Sequence, residues 1–157
     1  MSAFPIFFPV DHKSQAAGDD FHWRFTGAPI YAEFTLFRAF LGGTGIDNWV
    51  FYGSTGSTDH GTFFALQFLV PYEGEDLLEK TYKIGDGQQL TVFHFHSVPP
   101  APNFTSILAD KAELTIRLDP VKGTVHGDFN ANFDREGYRM NPIGTFDLKR
   151  ADQLHMK

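Results

Sequence analysis

The stretch from Glu113 to Phe133, ELTIRLDPVKGTVHGDFNANF, constrains the fold most, because it predicts a β-hairpin whose register can be tested from its residues alone. Apolar and polar residues alternate on both sides of a four-residue loop, Pro120 to Gly123. The apolar residues then pair on one face, as Leu118 with Val125, Ile116 with Gly127 and Leu114 with Phe129. The polar residues pair on the other face, as Arg117 with His126, Thr115 with Asp128 and Glu113 with Asn130. This separation predicts an antiparallel sheet with one face on a core and one in water.

The rest of the chain extends this prediction to an all-β fold. Short β-favouring segments alternate with Gly, Pro, Asn and Asp, at a spacing typical of a β-sandwich or β-barrel. We expect about nine strands, at Phe21–Thr26, Ile30–Phe40, Trp49–Tyr52, Thr62–Val70, Thr81–Ile84, Leu90–His96, Ala112–Leu118, Thr124–Phe133 and Ile143–Leu148. Little helix is expected; two short helical turns are predicted at Phe104–Asp110 and Glu75–Lys80.

The length of 157 residues suits one domain, which can bury about two-thirds of its unfolded surface without a metal or a crosslink. We predict an extended N-terminal arm and loop over residues 1–20, a single β-domain over 21–150 and a C-terminal tail over 151–157. The 18 phenylalanines are the compositional anomaly, and we expect most of them to be buried in the core.

Two predicted strands are apolar on both faces, around residues 63–70 and 90–96. A strand of this kind is covered on both sides, either within one molecule or between two. The pattern therefore predicts either a homo-oligomer or other protein interface, or a second face covered by the N-terminal arm, which carries Phe4, Ile6, Phe7 and Phe8.

Charge and composition argue against several functional classes. With 13 Lys and Arg against 19 Asp and Glu, and no basic cluster, the chain is not expected to bind nucleic acid. Its longest apolar run is far shorter than a membrane span, which takes about 20 residues. The absence of cysteine excludes disulfides, thiolate catalysis and sulfur-ligated metals. The segment MSAFPIFFPV lacks a basic leader and is not interpreted as a signal peptide, so a cytoplasmic location is the default expectation.

Catalytic signatures are not evident, and the sequence favours a protein that is not an enzyme, without deciding the point. No G-x-S-x-G elbow is present. The glycine-rich runs at residues 42–45 and 53–57 lack the lysine and hydroxyl of a phosphate-binding loop, so they are predicted to be turns. No cofactor is implied, apart from a divalent metal discussed next.

His94 and His96 form an H-x-H pair, which a strand would place on one face at a spacing found in metal sites. A third ligand would have to come from elsewhere in the chain, and the candidates are His126, His22, His60 and Asp128. A metal-binding protein or metal-dependent enzyme built on these histidines is thus an alternative function. The polar stripe His126, Asp128, Asn130, Asn132 and Asp134 lies on one face of a single strand, where it could hydrogen-bond a sugar or calcium, or simply face solvent.

Four aromatic residues, Trp23, Trp49, Tyr52 and Tyr31, are candidate ligand-binding residues, because such rings stack on sugars or contact apolar ligands. Together with the excess of Phe, they predict a non-enzymatic binding domain for a small apolar, aromatic-stacking or sugar-like ligand. A self-assembly or protein-partner module is the other alternative.

The C-terminal part resembles a known type of domain. An apolar strand, a DP-x-K-G turn, GTVHGDFNANF and a closing GTFDL strand are similar to the C-terminal half of small β-sandwich or lipocalin-like domains of bacterial proteins of unknown role, often lipoproteins. The resemblance covers Glu113 to Leu148 through Gly123, Gly127, Phe129, Gly144 and Phe146. It implies a β-fold and at most a binding or accessory role, and it supplies no catalytic residues. The lipoprotein cysteine is missing from this chain.

Overall fold

The structure is a computed structural model that describes residues 19–41, 47–134, 137 and 139–152. Within these residues the chain forms two antiparallel sheets and no helix. Each sheet ends in edge strands, so the fold is a β-sandwich rather than a closed barrel. The all-β prediction is therefore confirmed.

Eleven strands make up the two sheets in the described part of the chain. They are β1 (Asp20–Arg24), β2 (Ile30–Tyr31), β3 (Phe34–Phe40), β4 (Asn48–Thr55), β5 (Phe64–Pro71), β6 (Leu78–Lys83), β7 (Thr91–Ser97), β8 (Phe104–Leu108), β9 (Lys111–Asp119), β10 (Thr124–Asn132) and β11 (Ile143–Lys149). The six-stranded sheet has the order β2-β1-β11-β10-β9-β6, and the five-stranded sheet has the order β3-β4-β5-β7-β8.

The hairpin register is confirmed at each of its six predicted pairs. β9 and β10 pair from Asp119 with Thr124 to Lys111 with Asn132, so that Leu114 lies opposite Phe129. The apolar members of these pairs are buried, and polar residues occupy the other face. The alternation of the two strands was sufficient to fix their register, because a shift of one residue would expose the whole apolar set.

Four details of the prediction are wrong. The glycine-rich run at residues 53–57, which was predicted to be a turn, belongs to β4 as far as Thr55. Residues 30–40 form two strands in different sheets, because the backbone N–H of Ala32 donates to Phe21 in the six-stranded sheet, whereas that of Glu33 donates to Ser54 in the five-stranded sheet. The predicted turn at Phe104–Asp110 is instead the strand β8, which pairs with β7. The predicted turn at Glu75–Lys80 is a loop over residues 75–77 followed by the first three residues of β6.

The core between the sheets is a set of aromatic rings in mutual contact. Phe146 of β11 stacks on Phe21 and on Phe51, with ring centroids 5.2 Å apart in both pairs. Phe129 of β10 reaches Phe68 of β5 at 4.6 Å. Because Phe51 and Phe68 belong to the five-stranded sheet, these contacts join the two sheets directly.

A second cluster of buried apolar residues lies on the opposite, outer face of the five-stranded sheet. We call this surface the outer apolar face, and its buried members are Val50, Tyr52, Phe63, Ala65, Leu69, Phe93 and Phe95. The prediction that β5 and β7 are apolar on both sides is therefore confirmed, since their other residues enter the inter-sheet core.

Arg150, which follows β11, contacts residues of both sheets. Its guanidinium lies 4.9 Å from the ring centre of Trp49 and donates hydrogen bonds to Glu75 at 2.7 Å and Asp152 at 2.8 Å. It also donates to the carbonyl of Pro120 at 3.2 Å. The hydrogen bonds from Arg150 hold the pKa of Glu75 below its usual range. Arg150 therefore links the β5–β6 loop and the β9–β10 turn to β4 of the five-stranded sheet.

Candidate functional site

The outer face of the six-stranded sheet carries three parallel rows of side chains, each row running across the strands. The first row is Asp20, Asp147, His126, Arg117 and Glu79. The middle row is Tyr31, His22, Thr145, Asp128, Thr115 and Thr81. The third row is Arg24, Ile143, Asn130, Glu113 and Lys83. Alternation places these residues opposite the core residues of the same strands, so the rows form one largely polar surface, which we call the polar face.

Several side chains of the polar face are held in place by hydrogen bonds to neighbouring strands. Asp128 accepts a hydrogen bond from the hydroxyl of Thr145 at 2.9 Å, and its other oxygen lies 3.3 Å from Nε2 of His126. The hydroxyls of Thr81 and Thr115 are 2.8 Å apart. These bonds fix the orientation of the side chains. A ligand that binds here would therefore not have to order them on binding.

His126 lies between two carboxylates. Its Nδ1 is 2.7 Å from Asp147, and its Nε2 faces Asp128. The hydrogen bond to Asp147 is the main factor that raises the pKa of His126, and the charge of Asp128 acts in the same direction. The protonated imidazolium can donate hydrogen bonds to both Asp147 and Asp128. The contacts between His126 and these two carboxylates therefore become stronger as pH falls.

A groove with a volume of about 510 Å³ crosses β1, β11, β10 and β9 over the middle and third rows. Its polar lining residues are His22, Arg24, Glu113, Thr115, Asp128, Asn130 and Thr145. A neighbouring hollow of about 520 Å³ extends toward β6 and shares Thr115 and Asp128 with the groove. These two residues therefore lie at the centre of the polar face.

The four predicted ligand-binding aromatics do not form one site. Trp23 and Trp49 are buried in the core between the sheets, and Tyr52 is buried in the outer apolar face, where burial raises its pKa above the ordinary value. Tyr31 alone is exposed, at 57%. Its ring contacts that of His22, a groove residue, with centroids 5.0 Å apart and the ring planes tilted by 37°.

The structure brings His94 and His96 together, but places His126 elsewhere. Nε2 of His94 is 3.0 Å from Nδ1 of His96, and both rings point toward the core side of β7. His126 lies on the outer surface of the other sheet. Among the described residues, no group of three His, Cys, Asp or Glu side chains is arranged to hold a metal ion. A metal site built on His94 and His96 would therefore need a third ligand from outside the described residues.

Burial of His94 gives a testable pH dependence. Its ring is fully buried and stacks on Phe64 at 5.6 Å, and burial together with the nearby His96 lowers its pKa from 6.5 to about 4. The unfolded chain takes up this proton below pH 6.5, whereas the folded protein resists it, so stability falls as pH drops from 6.5 toward 4. At about 1.4 kcal/mol per pKa unit, the loss is about 3.5 kcal/mol at most.

We expect His94→Phe to remove this part of the acid sensitivity. Urea unfolding of both proteins between pH 8 and pH 4 measures it, and their difference reports on His94 together with its hydrogen-bonded neighbour His96, because the other titrating groups are shared. The difference should be constant above pH 7 and should shift in favour of the variant as pH falls. Parallel curves over the whole range would contradict a depressed pKa at this histidine.

Sequence reasoning found half of the polar face. The residues of β9 and β10 were paired correctly, but His22 was considered only as a possible metal ligand, and Arg24 and Thr145 were not considered as site residues. Their strands show the same alternation, because Phe21 and Trp23 in β1 and Phe146 in β11 point inward. The signal that was missing is the strand order, since β1 joins the sheet beside β11, more than 100 residues later in the chain.

No family model, curated protein or solved structure matches this chain. The resemblance to lipocalin-like domains thus stays a prediction. The five residues on which it is based do have structural roles: Gly123 is in the turn with φ of 74°, and the others form the cross-strand pairs Gly127 with Phe146 and Phe129 with Gly144. Across the described ranges, no helix is long and apolar enough to cross a membrane.

Proposed function

We propose that the protein is a non-enzymatic binding domain that holds a small, hydroxyl-rich, sugar-like ligand in the groove on its polar face. The proposal rests on a set of groove side chains whose hydrogen-bonding groups have no partner in the described structure. They lie beside side chains of the polar face that hydrogen bonds already hold in one orientation. Arg24, Asn130 and Glu113 line the groove, and in the described part of the chain their side chains make no hydrogen bond or ion pair.

The chemistry of these three side chains suits hydroxyl groups. Arg24 only donates hydrogen bonds, ionised Glu113 only accepts them, and Asn130 does both. A sugar hydroxyl both donates and accepts, so it can use each of the three. The third row places them on β1, β10 and β9, so Arg24 and Glu113 are three strand spacings apart, about 14 Å. This span suits a short oligosaccharide rather than a single small ion.

The surroundings support the same ligand class. The fixed acceptor Asp128 and the hydroxyl of Thr145 lie in the adjacent middle row, and that row ends in the exposed ring of Tyr31. An exposed aromatic ring beside a polar groove offers a stacking surface for the apolar face of a sugar. The space between the sheets is a less suitable site, because aromatic rings in contact fill it.

A glycan array probed with the whole chain tests the proposal, and isothermal calorimetry then measures the affinity of the oligosaccharide retained best. We expect Asn130→Ala to weaken that binding about threefold to tenfold, because one neutral hydrogen bond contributes about 0.5–1.5 kcal/mol. Amide chemical shifts in β1, β9, β10 and β11 should move when the oligosaccharide is added.

Asp59→Asn is the matched control, since Asp59 lies in an exposed loop outside the groove. It should bind the oligosaccharide as the parent does. An array without binders, or shifts confined to the outer apolar face, would show that the polar face is not such a site.

A further inference from the structure

We infer that the outer apolar face is the docking surface for the chain's own N-terminal segment, residues 1–18. This inference concerns the opposite side of the molecule from the groove and does not depend on the ligand proposed there. It selects one of the two explanations that the doubly apolar strands left open.

The outer apolar face has the character of a covered surface. Val50, Tyr52, Ala65 and Phe95 are all 0% exposed, yet the two described sheets enclose only the inner face of the five-stranded sheet. An apolar face of this size would be rare on a single molecule if it were left uncovered, unless it were a binding surface. A further layer therefore belongs on this side of the sandwich.

The polar groups within this face favour a polypeptide as the covering layer. Gln67 is fully buried at the centre of β5, next to Tyr52 on β4. In the described part of the chain, neither the nitrogen nor the oxygen of its side-chain amide has a hydrogen-bond partner. Leaving such groups unsatisfied is costly, and a peptide backbone supplies both donors and acceptors.

The first residues of the chain have a matching composition. Half of the first ten residues are Phe, Ile or Val, namely Phe4, Ile6, Phe7, Phe8 and Val10. Pro5 and Pro9 disfavour a helix in this segment and favour an extended backbone. An extended strip of this kind can lay apolar side chains on a sheet while its backbone remains available to Gln67.

The point at which the described chain begins is also suitable. The carboxylate of Asp19 accepts a hydrogen bond from the hydroxyl of Thr35 at 2.9 Å, and Thr35 is in β3, the edge strand of the five-stranded sheet. Eighteen extended residues reach roughly 60 Å, whereas five strands span only about 20 Å. The segment is thus attached at the β3 edge of the five-stranded sheet, and it is long enough to cross the outer apolar face.

Spin labelling of the full chain tests this inference. Because the chain has no native cysteine, the label attaches only at an introduced cysteine. A nitroxide on Ala3→Cys should broaden the amide signals of β4, β5 and β7, for example those of Val50, Ala65 and Phe95. It should spare the signals of Thr115 and Asp128 on the polar face. A control sample mixes two forms of the chain: one carries the nitroxide but no ¹⁵N, and the other carries ¹⁵N but no nitroxide. If the contact lies within one molecule, this mixture should show no broadening.

The double substitution Phe7→Asp, Phe8→Asp in the same labelled chain should restore the lost signals and increase the fluorescence of the dye ANS. Lys13→Asp with Gln15→Asp is the matched control in the same segment and should change neither. Broadening that appears only in the mixture would assign the face to a second copy of the chain. Broadening absent from β4, β5 and β7, or persistent in the Phe7 and Phe8 variant, would overturn the inference.

Discussion

Phe146→Ala is expected to lower the free energy of unfolding by about 3–5 kcal/mol, the usual cost of truncating a fully buried phenylalanine. Phe146 is 0% exposed and contacts rings from both sheets, Phe21 and Phe51 among them. Its removal leaves a cavity between the sheets and also uncovers the backbone of Gly127. Since whole domains are stable by only about 5–15 kcal/mol, a large part of the margin would be lost.

Denaturant unfolding followed by tryptophan fluorescence measures the effect, because Trp23 and Trp49 are both buried in the same core. Phe25→Ala is the matched control: the same atoms are removed from a ring that is 37% exposed. It should cost less than about 1 kcal/mol. Equal midpoints for the two variants would mean that the aromatic cluster does not hold the sheets together.

The hairpin of β9 and β10 could be predicted because its information is local. Both strands alternate, the turn between them is short, and only one register buries Leu114, Ile116 and Phe129 together. β8 was mispredicted for the opposite reason. Its five residues show no clear period, and their conformation is set by pairing with β7, which residues 104–108 do not encode by themselves.

The polar face shows the same division between local and distant information. Its rows arise from strands that are far apart in the chain, so Arg24 and Asn130 come into one row only through β11 between them. The alternation within each strand indicates that each of these residues lies on the solvent-facing side of its own strand. The order of the strands, which turns separate residues into a groove, depends on how both sheets bury their aromatic residues and is not visible in any one segment.

The aromatic residues illustrate a different difficulty. Trp23 and Trp49 were predicted to bind a ligand, and both lie in the core, whereas Tyr31 lies at the rim of the groove. Composition gave the number of rings but not which of them remain exposed. That distinction follows from alternation within each strand: Trp23 shares the inward face of β1 with Phe21, and Tyr31 lies opposite the outward His22.

Gly144→Ala is expected to destabilise the protein by about 3 kcal/mol, at the upper end of the range for overpacking a core. A Cβ at this position would overlap the carbonyl oxygen of His22 and lie 2.7 Å from the Phe129 ring and 2.9 Å from Cα of Trp23. Two of these neighbours are backbone atoms of β1, which cannot rotate away as a side chain can. The methyl group can be accommodated only if β1 moves away from β11, which loosens the pairing that completes the polar face.

Gly27→Ala is the control for this substitution, because a Cβ at Gly27 would have no atom within 4 Å. It should leave the free energy of unfolding unchanged or raise it by up to about 1 kcal/mol, through a less flexible unfolded chain. Urea unfolding compares the two variants, and amide exchange in β1 shows where the damage lies. The exchange should be faster in β1 than in the β9–β10 hairpin, since that hairpin does not contact the new methyl group except through Phe129. Equal stability of the two variants would mean that β1 does not lie against β11 in the register described above.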